Sequence, residues 1–363
     1  MATISFARGI PAPEFLPFAD LAECARAAVK RDPAVLNYGP AGGYGPLREL
    51  IARRHGVEPE RVVVTNGSLQ GFLFAAGLLA KRGPVLVEAP TYDRPLKLLE
   101  TLGAEVFAVP LDDEGLDVDS LEIALRQGLR PSFLYTIPTF QNPTGATMSK
   151  ARRRRLVRLA RNYDLLLFED DPYGLVRFEG RAVPTLFELD GGDNVAYACS
   201  FSKTIAPGLR VGYLVLPPGL ANEIEAEATS TYITPALVPQ AAVHEYLARG
   251  LFDANLARIC EALRTRRDAM LAALERELPT SRWSAPAGGY FLWLELQDGL
   301  GTAELQRRAA AVGVSFVAGR EFFAGRGGEE AARLAFSFAS TAEIDEGITR
   351  LASAAGCGLK RAA

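Results

Sequence analysis

The feature that most constrains the fold is an alternation of short apolar runs with helical stretches, beginning near residue 60. The apolar runs are RVVVT (61–65), PVLVEAP (84–90), AEVFAVP (104–110), SFLYTIP (132–138), DLLLFED (164–170), NVAYACS (194–200) and VGYLVLP (211–217). Runs that are apolar throughout indicate strands buried on both faces. The pattern therefore predicts an α/β fold, with a mostly parallel seven-stranded sheet flanked by helices. The last two runs are joined by a short turn, which allows one antiparallel edge.

The pattern changes after about residue 240, which indicates a second, smaller domain. A long helical stretch runs from Ala241 to about Glu277, and short strand-like runs follow at 290–296, 313–319 and 332–339. Short strands alternating with helices in this way predict an α+β domain. Residues 1–35 have no obvious place in the large sheet. We therefore assign 36–240 to the large domain, and 1–35 with 241–363 to the small domain.

Composition and charge exclude several classes of function. The 363 residues carry a net charge of −3, which gives no electrostatic argument for binding nucleic acid or an anionic membrane. The basic run KARRRR at 150–155 is followed by apolar residues at helical spacing, so we interpret it as the solvated face of a helix. The N-terminus has no signal-peptide pattern, and no apolar run approaches membrane-spanning length.

The cysteines and histidines are too few and too scattered for a metal centre. Cys24, Cys199, Cys260 and Cys357 form no C-x-x-C motif, and the chain has only two histidines. We therefore expect neither a metal site nor a disulfide framework, and a reducing, cytoplasmic compartment.

Unusual polar residues follow five of the predicted strands, at the point where each strand ends. They are Asn66-Gly67-Ser68, Pro90-Thr91-Tyr92, Gln141-Asn142-Pro143-Thr144-Gly145, Asp170-Asp171-Pro172-Tyr173, and the group Ser200, Ser202 and Lys203. In open α/β sheets, ligands bind outside the carboxyl ends of the strands. The five strand ends therefore predict a single shared site.

The groups around Lys203 suit a phosphorylated aldehyde. A lysine that is largely desolvated and close to a cation has a lowered pKa and can form a Schiff base. The start of a helix at Gly67 and Ser68 offers backbone N–H groups and a hydroxyl to a phosphate. The side chains expected to complete this anion site are Ser200, Ser202 and Arg210.

The remaining polar groups suit an aromatic pyridine ring. An acidic residue could keep the ring nitrogen protonated, and Asn142 and Tyr173 could hydrogen-bond a phenolate oxygen. Tyr92 could stack on the ring face. A phosphate, an aldehyde, a pyridinium and a phenolate together describe pyridoxal 5′-phosphate (PLP).

The order of these motifs resembles a known family. Asn-Pro-Thr-Gly, then Asp-x-x-Tyr, then Ser-x-Ser-Lys with Pro-Gly-x-Arg-x-Gly, is similar to the fold-type-I PLP enzymes of the aspartate aminotransferase superfamily. The stretches SFARGIPAPEFLP, LNYGPAGGYGPLRELIA and SFSKTIAPGLRVGY most resemble the subgroup of LysN-type 2-aminoadipate and kynurenine or aromatic aminotransferases. This resemblance implies a large PLP domain, a small domain that moves on substrate binding, and a homodimer with shared active sites.

The resemblance also implies a role for individual residues. Lys203 matches the Schiff-base lysine, Asp170 rather than Asp171 matches the partner of the pyridinium, and Arg333 matches the arginine that pairs with the substrate α-carboxylate. The other implied cofactor contacts are Asn142 and Tyr173 at the phenolate oxygen, Tyr92 on the ring, Gly67, Ser68, Leu69, Ser200, Ser202 and Arg210 at the phosphate, and Tyr38 reaching the phosphate of the partner subunit. Asn142 commonly touches the substrate carboxylate too.

These roles together imply a PLP-dependent aminotransferase, which transfers an α-amino group between an L-amino acid and a 2-oxo acid, with a specificity that is either directed to 2-aminoadipate or glutamate or broad. A PLP-dependent lyase, decarboxylase or cyclase on the same scaffold is the alternative. A PLP-binding regulatory module is a third interpretation, and we do not favour it because SFARGIP begins the chain and leaves no room for a DNA-binding domain.

One departure from the family pattern bears on the choice of substrate. The usual Phe-x-Gly-Gly-Leu-Pro is replaced by FARGIP, so Arg8 stands for a glycine expected close to the substrate, next to Gly9. The helical segment that usually precedes this motif is absent. Two interpretations remain open. Arg8 points to solvent, or it enters the site and favours a substrate with a second carboxylate, such as 2-aminoadipate or glutamate.

Overall fold

A computed structural model describes residues 3–297 and 299–356. Cys357 lies outside these described residues. The strands are β1 Ile4–Ser5, β2 Val62–Thr65, β3 Val85–Ala89, β4 Val106–Asp112, β5 Gly115–Leu116, β6 Phe133–Thr136, β7 Leu166–Asp170, β8 Val195–Ser200, β9 Gly212–Val215, β10 Arg282–Trp283, β11 Phe291–Glu295, β12 Val314–Ser315, β13 Val317–Ala318 and β14 Ala331–Ala335. The helices are α1 Phe18–Arg31, α2 Gly45–His55, α3 Ser68–Leu79, α4 Asp93–Thr101, α5 Val118–Arg126, α6 Lys150–Asn162, α7 Leu186–Asp190, α8 Leu220–Tyr232, α9 Leu237–Ala248, α10 Phe252–Glu277, α11 Thr302–Ala311 and α12 Thr341–Ala355.

The large sheet has the strand order β2-β9-β8-β7-β6-β3-β4-β5. Strands β8, β7, β6, β3 and β4 are parallel, which confirms the predicted mostly parallel sheet. Strand β9 is antiparallel, and it pairs with both β2 and β8 instead of forming an edge, whereas β5 at the edge of the sheet pairs antiparallel with β4. A two-residue strand that the sequence pattern did not predict, β5, extends the seven predicted strands to eight.

Successive strand residues pack into two cores on opposite faces of this sheet. Leu134 and Leu167 lie in one core, whereas their neighbours Phe133 and Phe168 lie in the other. Because side chains alternate across a strand, a strand between two helical layers needs apolar residues at every position. The continuous apolar runs therefore reflect burial on both faces, and the sheet presents its carboxyl ends at one edge.

A second sheet, of order β10-β11-β14-β13, forms the smaller α+β unit. Its core includes Leu292 and Leu334 together with Phe6 and Phe15 from the N-terminal segment. The proposed domain boundaries stay a prediction, and one element packs differently from them. Cys24 of α1 belongs to the core on one face of the large sheet, although residues 1–35 were assigned to the small domain.

The long helix expected from Ala241 to about Glu277 is two helices, α9 and α10. The chain turns between them at Gly250, whose φ of 70° lies in the left-handed region that glycine enters at little cost. The apolar residues continue at helical spacing through this turn, which is why the sequence indicates one long helix.

The basic run at 150–155 is only partly the solvated face that we expected. Arg152 pairs with Asp112 and Arg155 with Asp119 at the surface of α6. Arg153 is fully buried, and it donates to the backbone carbonyl of Met148. Helical spacing turns this one side chain inward. Among the described helices, none is long and apolar enough to cross a membrane.

Candidate active site

A cavity of about 130 Å³ opens at the carboxyl ends of the large sheet, as the five strand ends predict. Its walls include the predicted site residues Ser68, Leu69, Tyr92, Asn142, Asp170, Tyr173, Ser200, Ser202, Lys203 and Arg210. Phe72 and Ile137, which the sequence analysis had not assigned to the site, complete the lining together with Pro172. Parallel strands bring distant parts of the chain together here because their ends meet at one edge.

Lys203 follows β8 and turns its side chain towards the N-terminal segment. Its Nζ donates to the backbone carbonyl oxygen of Gly9 at 2.5 Å. The hydroxyl of Tyr290 donates to the Lys203 carbonyl oxygen at 2.7 Å and fixes the backbone below the side chain. Burial, together with the positive charges of Arg333 and Arg210, lowers the pKa of Lys203 to about 8. The structure therefore makes this amine neutral, and nucleophilic, at a lower pH than an ordinary lysine.

One end of the cavity has the character of an anion site. Helix α3 begins at Ser68, and the first backbone N–H groups of a helix have no partner within it. Arg210 lies beside this helix start, where its Nη2 donates to the carbonyl oxygen of Asn66 at 3.2 Å. Gly67 has a φ of 92°, and a Cβ there would lie 2.2 Å from Arg210 Nη2. Glycine at 67 thus lets the guanidinium approach the helix terminus.

The Ser200 and Ser202 hydroxyls line the same end. Ser200 Oγ donates to Ser202 Oγ at 2.9 Å, and Arg210 Nη1 donates to Ser202 Oγ at 3.4 Å. Arg210 itself has a φ of 51°, an uncommon conformation for a residue other than glycine. Such backbone conformations recur at ligand sites, where the surroundings hold them in place.

Asp170 closes the cavity at the end of β7. Its Oδ2 accepts a hydrogen bond from the hydroxyl of Tyr135 at 2.7 Å. Its Oδ1 is buried and has no hydrogen-bond partner among the described residues. Burial raises the pKa of Asp170 to about 7, and the bond from Tyr135 opposes that rise. One carboxyl oxygen is thus held in place, and the other is free to accept a proton donor from a ligand.

Arg333 joins the small domain to the loop that carries Asn142. Arg333 Nη1 donates to Asn142 Oδ1 at 2.9 Å, and Arg333 Nη2 donates to the carbonyl oxygen of Ala7 at 3.1 Å. Its guanidinium carbon lies 4.1 Å from the centre of the Phe291 ring. Its Nε is buried without a partner among the described residues. A fork of donors with an unused N–H suits a carboxylate.

Tyr92 and Tyr173 supply the aromatic walls. Tyr173 is buried, and its ring packs edge-on against Phe291 with centroids 5.7 Å apart. Tyr92 follows β3, and burial raises the pKa of its phenol to about 12. Both hydroxyls therefore stay protonated near neutral pH and can donate hydrogen bonds.

Five predicted residues lie outside the cavity wall, namely Gly67 and Arg333, described above, and Gly9, Arg8 and Tyr38. Gly9 contacts Lys203 through its backbone, and a Cβ at this position would lie 2.4 Å from the Phe291 ring. Arg8 is exposed, with its guanidinium carbon 5.2 Å from the centre of the Phe338 ring. Tyr38 is 74% exposed. The position of Arg8 agrees with the solvent-facing interpretation, although its carbonyl lies on the segment that borders the site.

The sequence analysis missed the residues that support the cavity from behind. Tyr135 and Tyr290 sit inside apolar runs, where a tyrosine is also an ordinary core residue. Glu88 is a charged residue in the otherwise apolar run PVLVEAP, and this was the available signal. A buried carboxylate needs partners, so its presence there points to a hydrogen-bond network.

The donor set of the cavity fits pyridoxal 5′-phosphate. The free Oδ1 of Asp170 suits a pyridine N–H, and the start of α3 with Arg210 suits a phosphate. Lys203 supplies an amine with a lowered pKa for an aldehyde. Each polar feature of the cofactor thus has a chemically matching group in the wall.

Comparison with known proteins gives matches along nearly the whole chain. Residues 13–351 match the family model described as Aminotransferase class I and II. The chain is 41% identical over 358 residues to a 2-aminoadipate transaminase of Thermus thermophilus, covering 97% of this chain and 89% of that protein. It is 37% identical over 362 residues to an aromatic-amino-acid aminotransferase of Thermococcus litoralis, covering 96% and 87%.

Solved structures agree with these sequence matches. The crystal structure of LysN, an α-aminoadipate aminotransferase from Thermus thermophilus complexed with N-(5′-phosphopyridoxyl)-L-leucine, matches with a TM-score of 0.93 at 38% identity, covering 99% of this chain and 93% of that one. A kynurenine aminotransferase from Pyrococcus horikoshii matches with a TM-score of 0.92 at 34% identity, covering 100% and 92%. The similarity therefore includes both domains.

Proposed function

Because the chain belongs to the class I and II aminotransferases, we propose that it transfers the α-amino group of an acidic L-amino acid, such as 2-aminoadipate or glutamate, to a 2-oxo acid. The protein is a PLP-dependent aminotransferase, and its cofactor is pyridoxal 5′-phosphate. The choice of substrate rests on one observation. The backbone of residues 7–9 contacts both Arg333 and Lys203, and Arg8 lies on this segment.

The cofactor is assigned to the cavity at the sheet edge. When bound, it supplies an aldehyde for amino groups and a pyridine ring that accepts electrons from the substrate α-carbon. Asp170 Oδ1 would hold the proton on the ring nitrogen, and Asn142 and Tyr173 would donate to the ring oxygen. The phosphate is assigned to the start of α3, Ser200, Ser202 and Arg210.

Lys203 is assigned two tasks, both of which need a neutral amine. It attaches the cofactor in the resting enzyme, and it later carries the proton that leaves the substrate α-carbon. Support comes from its pKa of about 8, which burial and the charges of Arg333 and Arg210 produce. The hydrogen bond to Gly9 gives the amine a defined position before the substrate arrives.

Arg333 and Asn142 are assigned to the substrate α-carboxylate. Arg333 comes from β14 of the small domain, whereas Asn142 comes from a loop of the large domain. A carboxylate bound by this pair therefore connects the two domains. The buried Arg333 Nε, unpartnered in the described part of the chain, is available as a donor.

The second carboxylate of an acidic substrate is assigned to Arg8. In the part of the chain that the structure describes, the guanidinium of Arg8 forms no ion pair and lies over the Phe338 ring. The carbonyl oxygens of its neighbours Ala7 and Gly9 accept from Arg333 and Lys203, so Arg8 lies on a segment that borders the site, and its side chain would have to rotate to reach a bound substrate. A second carboxylate supplies the missing partner.

Assembly and compartment are further parts of the proposal. Tyr38 is a large aromatic residue exposed on this chain, which supports its assignment to the phosphate of the partner subunit in a homodimer. The free thiols of Cys24, Cys199 and Cys260 support a reducing compartment such as the cytoplasm.

A panel of half-reactions tests the substrate class. The loaded enzyme is mixed with acidic, aromatic and aliphatic L-amino acids, and the change of the cofactor absorption band is followed for each. We expect the highest kcat/KM for 2-aminoadipate or glutamate. A highest value for phenylalanine or kynurenine would replace the acidic substrate class by an aromatic one, and equal values would indicate broad specificity.

A further inference from the structure

A buried carboxylate, Glu88, lies at the end of β3 behind the loop that carries Asn142. Glu88 is 1% exposed. Its Oε1 accepts from the Thr136 hydroxyl and from the backbone N–H of Ile137, and its Oε2 accepts from Gln141 Nε2 at 3.0 Å. None of the chemistry assigned above uses Glu88 or Gln141.

The side-chain amide of Gln141 is held in one orientation. Its Nε2 donates to Glu88 and also to the carbonyl oxygen of Pro90 at 2.8 Å. Its Oε1 accepts from the backbone N–H of Thr144 at 2.9 Å and from the Thr144 hydroxyl at 2.8 Å. A carboxylate and a carbonyl only accept, and a backbone N–H only donates. Turning the amide over would therefore place like groups against each other on both sides.

The backbone of Gln141 closes the loop in which Asn142 lies. Its N–H donates to the carbonyl oxygen of Ala146 at 2.9 Å, and its carbonyl oxygen accepts from the N–H of Gly145 at 2.6 Å. Asn142 then accepts from Arg333 at 2.9 Å. Glu88 is thus connected to the arginine assigned to the substrate carboxylate by the hydrogen bond to Gln141, the peptide bond between Gln141 and Asn142, and the hydrogen bond from Arg333 to Asn142.

We propose that Glu88 is a positioning residue which, through Gln141, holds Asn142 at the place where it and Arg333 bind the substrate α-carboxylate. This inference rests on the proposed function, since Arg333 and Asn142 are assigned to the carboxylate there. The competing interpretation is that Glu88 is only a hydrogen-bonded polar group of the core. The two differ in what a change at Glu88 does to carboxylate recognition.

The variant Glu88→Gln keeps the shape of the side chain but adds an N–H₂ group. That group must face either Gln141 Nε2 or the Ile137 N–H, and both of these are donors. The conflict at Gln141 is relieved when its amide turns over, which then disturbs the contact with Thr144. We expect the loop to lose its fixed position while the strands keep theirs.

The first measurement compares two carbonyl reagents that react with the cofactor aldehyde. Aminooxyacetate carries a carboxylate, and methoxyamine does not, so the ratio of their second-order rate constants reports carboxylate recognition. We expect Glu88→Gln to lower this ratio about tenfold, with the methoxyamine rate and the dissociation constant of the cofactor nearly unchanged. A purely structural role predicts an unchanged ratio.

The second measurement needs no cofactor. Hydrogen exchange of the cofactor-free protein is followed by mass spectrometry in peptides that cover residues 139–148. Because the N–H groups of Thr144 and Gly145 are bonded to Gln141, we expect exchange there to become several times faster in Glu88→Gln. Unchanged exchange in this peptide would contradict the proposal.

Glu169→Gln is the matched control. Glu169 is also a fully buried carboxylate at a strand end, and it accepts from the N–H groups of Leu186 and Phe187. It lies 4.0 Å from Arg153, and among the described residues it has no hydrogen bond to Gln141 or Asn142. Glu169→Gln should lower the free energy of unfolding by an amount similar to that of Glu88→Gln. It should leave the ratio of the aminooxyacetate and methoxyamine rate constants at the wild-type value. If both variants lower the ratio equally, the effect is a general loss of stability and the proposal fails.

Two further variants keep the test decisive. Should Glu88→Gln not fold, Thr144→Val removes the hydroxyl that donates to Gln141 Oε1 and accepts from the Ala146 N–H, and we expect the ratio to fall about threefold. Arg333→Gln should abolish the preference for aminooxyacetate. If it does and the Glu88 and Thr144 variants keep the preference, the positioning role is wrong and the carboxylate site stands. If Arg333→Gln keeps the preference, the assignment of Arg333 is itself wrong.

Discussion

The side-chain nitrogen of Lys203 and the carbonyl oxygen of Gly9 are 2.5 Å apart, although 194 residues separate them in the sequence. Two residues earlier, the carbonyl oxygen of Ala7 accepts from Arg333. The N-terminal segment thus contacts the amine that reacts and the guanidinium that recognises the carboxylate. Substitution of Lys203 or Arg333 should therefore also affect the N-terminal segment, which contacts both side chains.

Removing the amine tests the centre of the site. We expect Lys203→Ala to fold with an unchanged melting temperature and to lose turnover by at least a thousandfold, because the nucleophile and proton carrier are gone. After borohydride reduction, mass spectrometry of wild-type peptides should find a pyridoxyl group on Lys203. Turnover of Lys203→Ala near the wild-type rate, or the label on another lysine, would contradict the assignment.

The rate at which the protein binds PLP should depend on pH, because it depends on the protonation state of Lys203. The folded protein lowers the pKa of Lys203 from 10.5 to about 8, so the reactive neutral form accumulates as pH rises through 8. We expect the association rate of PLP with the cofactor-free protein to rise with a midpoint near pH 8. Stopped-flow absorbance measures it, and a midpoint near 10.5 would show that Lys203 is not perturbed.

A substitution at Arg333 tests the cause of the lowered pKa of Lys203. Arg333 is one of the positive charges that lower the pKa of Lys203. Arg333→Gln removes that charge, so the midpoint of cofactor loading should move to higher pH. The exposed Arg154→Gln serves as a control that removes an equal charge far from the amine, and its midpoint should match the wild type.

Tyr135 should set the acid limit of activity through Asp170. Its hydroxyl bonds Asp170 Oδ2 and opposes the rise in the pKa of this carboxyl. In Tyr135→Phe the pKa of Asp170 rises further, so Asp170 is protonated at a higher pH. The acid limb of kcat/KM should then move upwards in pH, and the half-reaction rate should fall about tenfold.

Tyr197→Phe provides the comparison for that prediction. Tyr197 is a buried tyrosine that bonds Asp171 Oδ2 at 3.0 Å, on the carboxylate that has no assigned role in the site. Tyr197→Phe should lower the free energy of unfolding about as much as Tyr135→Phe, and it should leave the acid limb of kcat/KM at the wild-type pH. Equal shifts in the two variants would refute a specific link between Tyr135 and Asp170.

The sequence identifies the residues that touch the cavity much better than those that support it. Lys203 and Asp170 follow predicted strands directly, so the edge rule brings them together without knowledge of the packing. Tyr135 and Glu88 contact partners distant in sequence. Tyr135 matches an ordinary strand residue, and the charge of Glu88 in an apolar run indicates a buried partner without identifying it. Their roles depend on hydrogen-bond directions, which only the folded chain defines.

The differences in the fold have equally local causes. Helical spacing continues through Gly250, so only its left-handed backbone reveals that α9 and α10 are separate. Arg153 belongs to a run of charged residues, yet its position on α6 turns it into the core. Strand β9 lies inside the sheet and not at its edge because β2 pairs on its far side, a long-range contact that the alternation of strands and helices cannot predict.

Mixing two inactive variants tests whether Tyr38 serves the partner subunit. Lys203→Ala lacks the amine in its own site, and Tyr38→Ala leaves the site of its partner incomplete. A mixed dimer then contains one intact site, so an equal mixture should recover about a quarter of wild-type activity after subunit exchange. Without recovery, Tyr38 either serves its own subunit or lies outside the site. An active monomer, identified by sedimentation at the assay concentration, would likewise contradict the assignment of Tyr38 to the partner subunit.

Arg8 provides the test of substrate choice. In this structure its guanidinium is exposed over the Phe338 ring, and exposed ion pairs contribute only about 0.2–1 kcal/mol. We therefore expect Arg8→Gly to lower kcat/KM for 2-aminoadipate and glutamate by roughly two- to fivefold, and to leave leucine unchanged. Phe338→Leu removes the surface on which the guanidinium rests and should alter the same substrates to a smaller extent. Steady-state kinetics with the three amino acids measure this selectivity. An equal loss for leucine would mean that Arg8 acts by shaping the segment between Ala7 and Gly9. No loss for any substrate would show that the side chain stays in solvent, and the preference for acidic substrates would have to come from other residues.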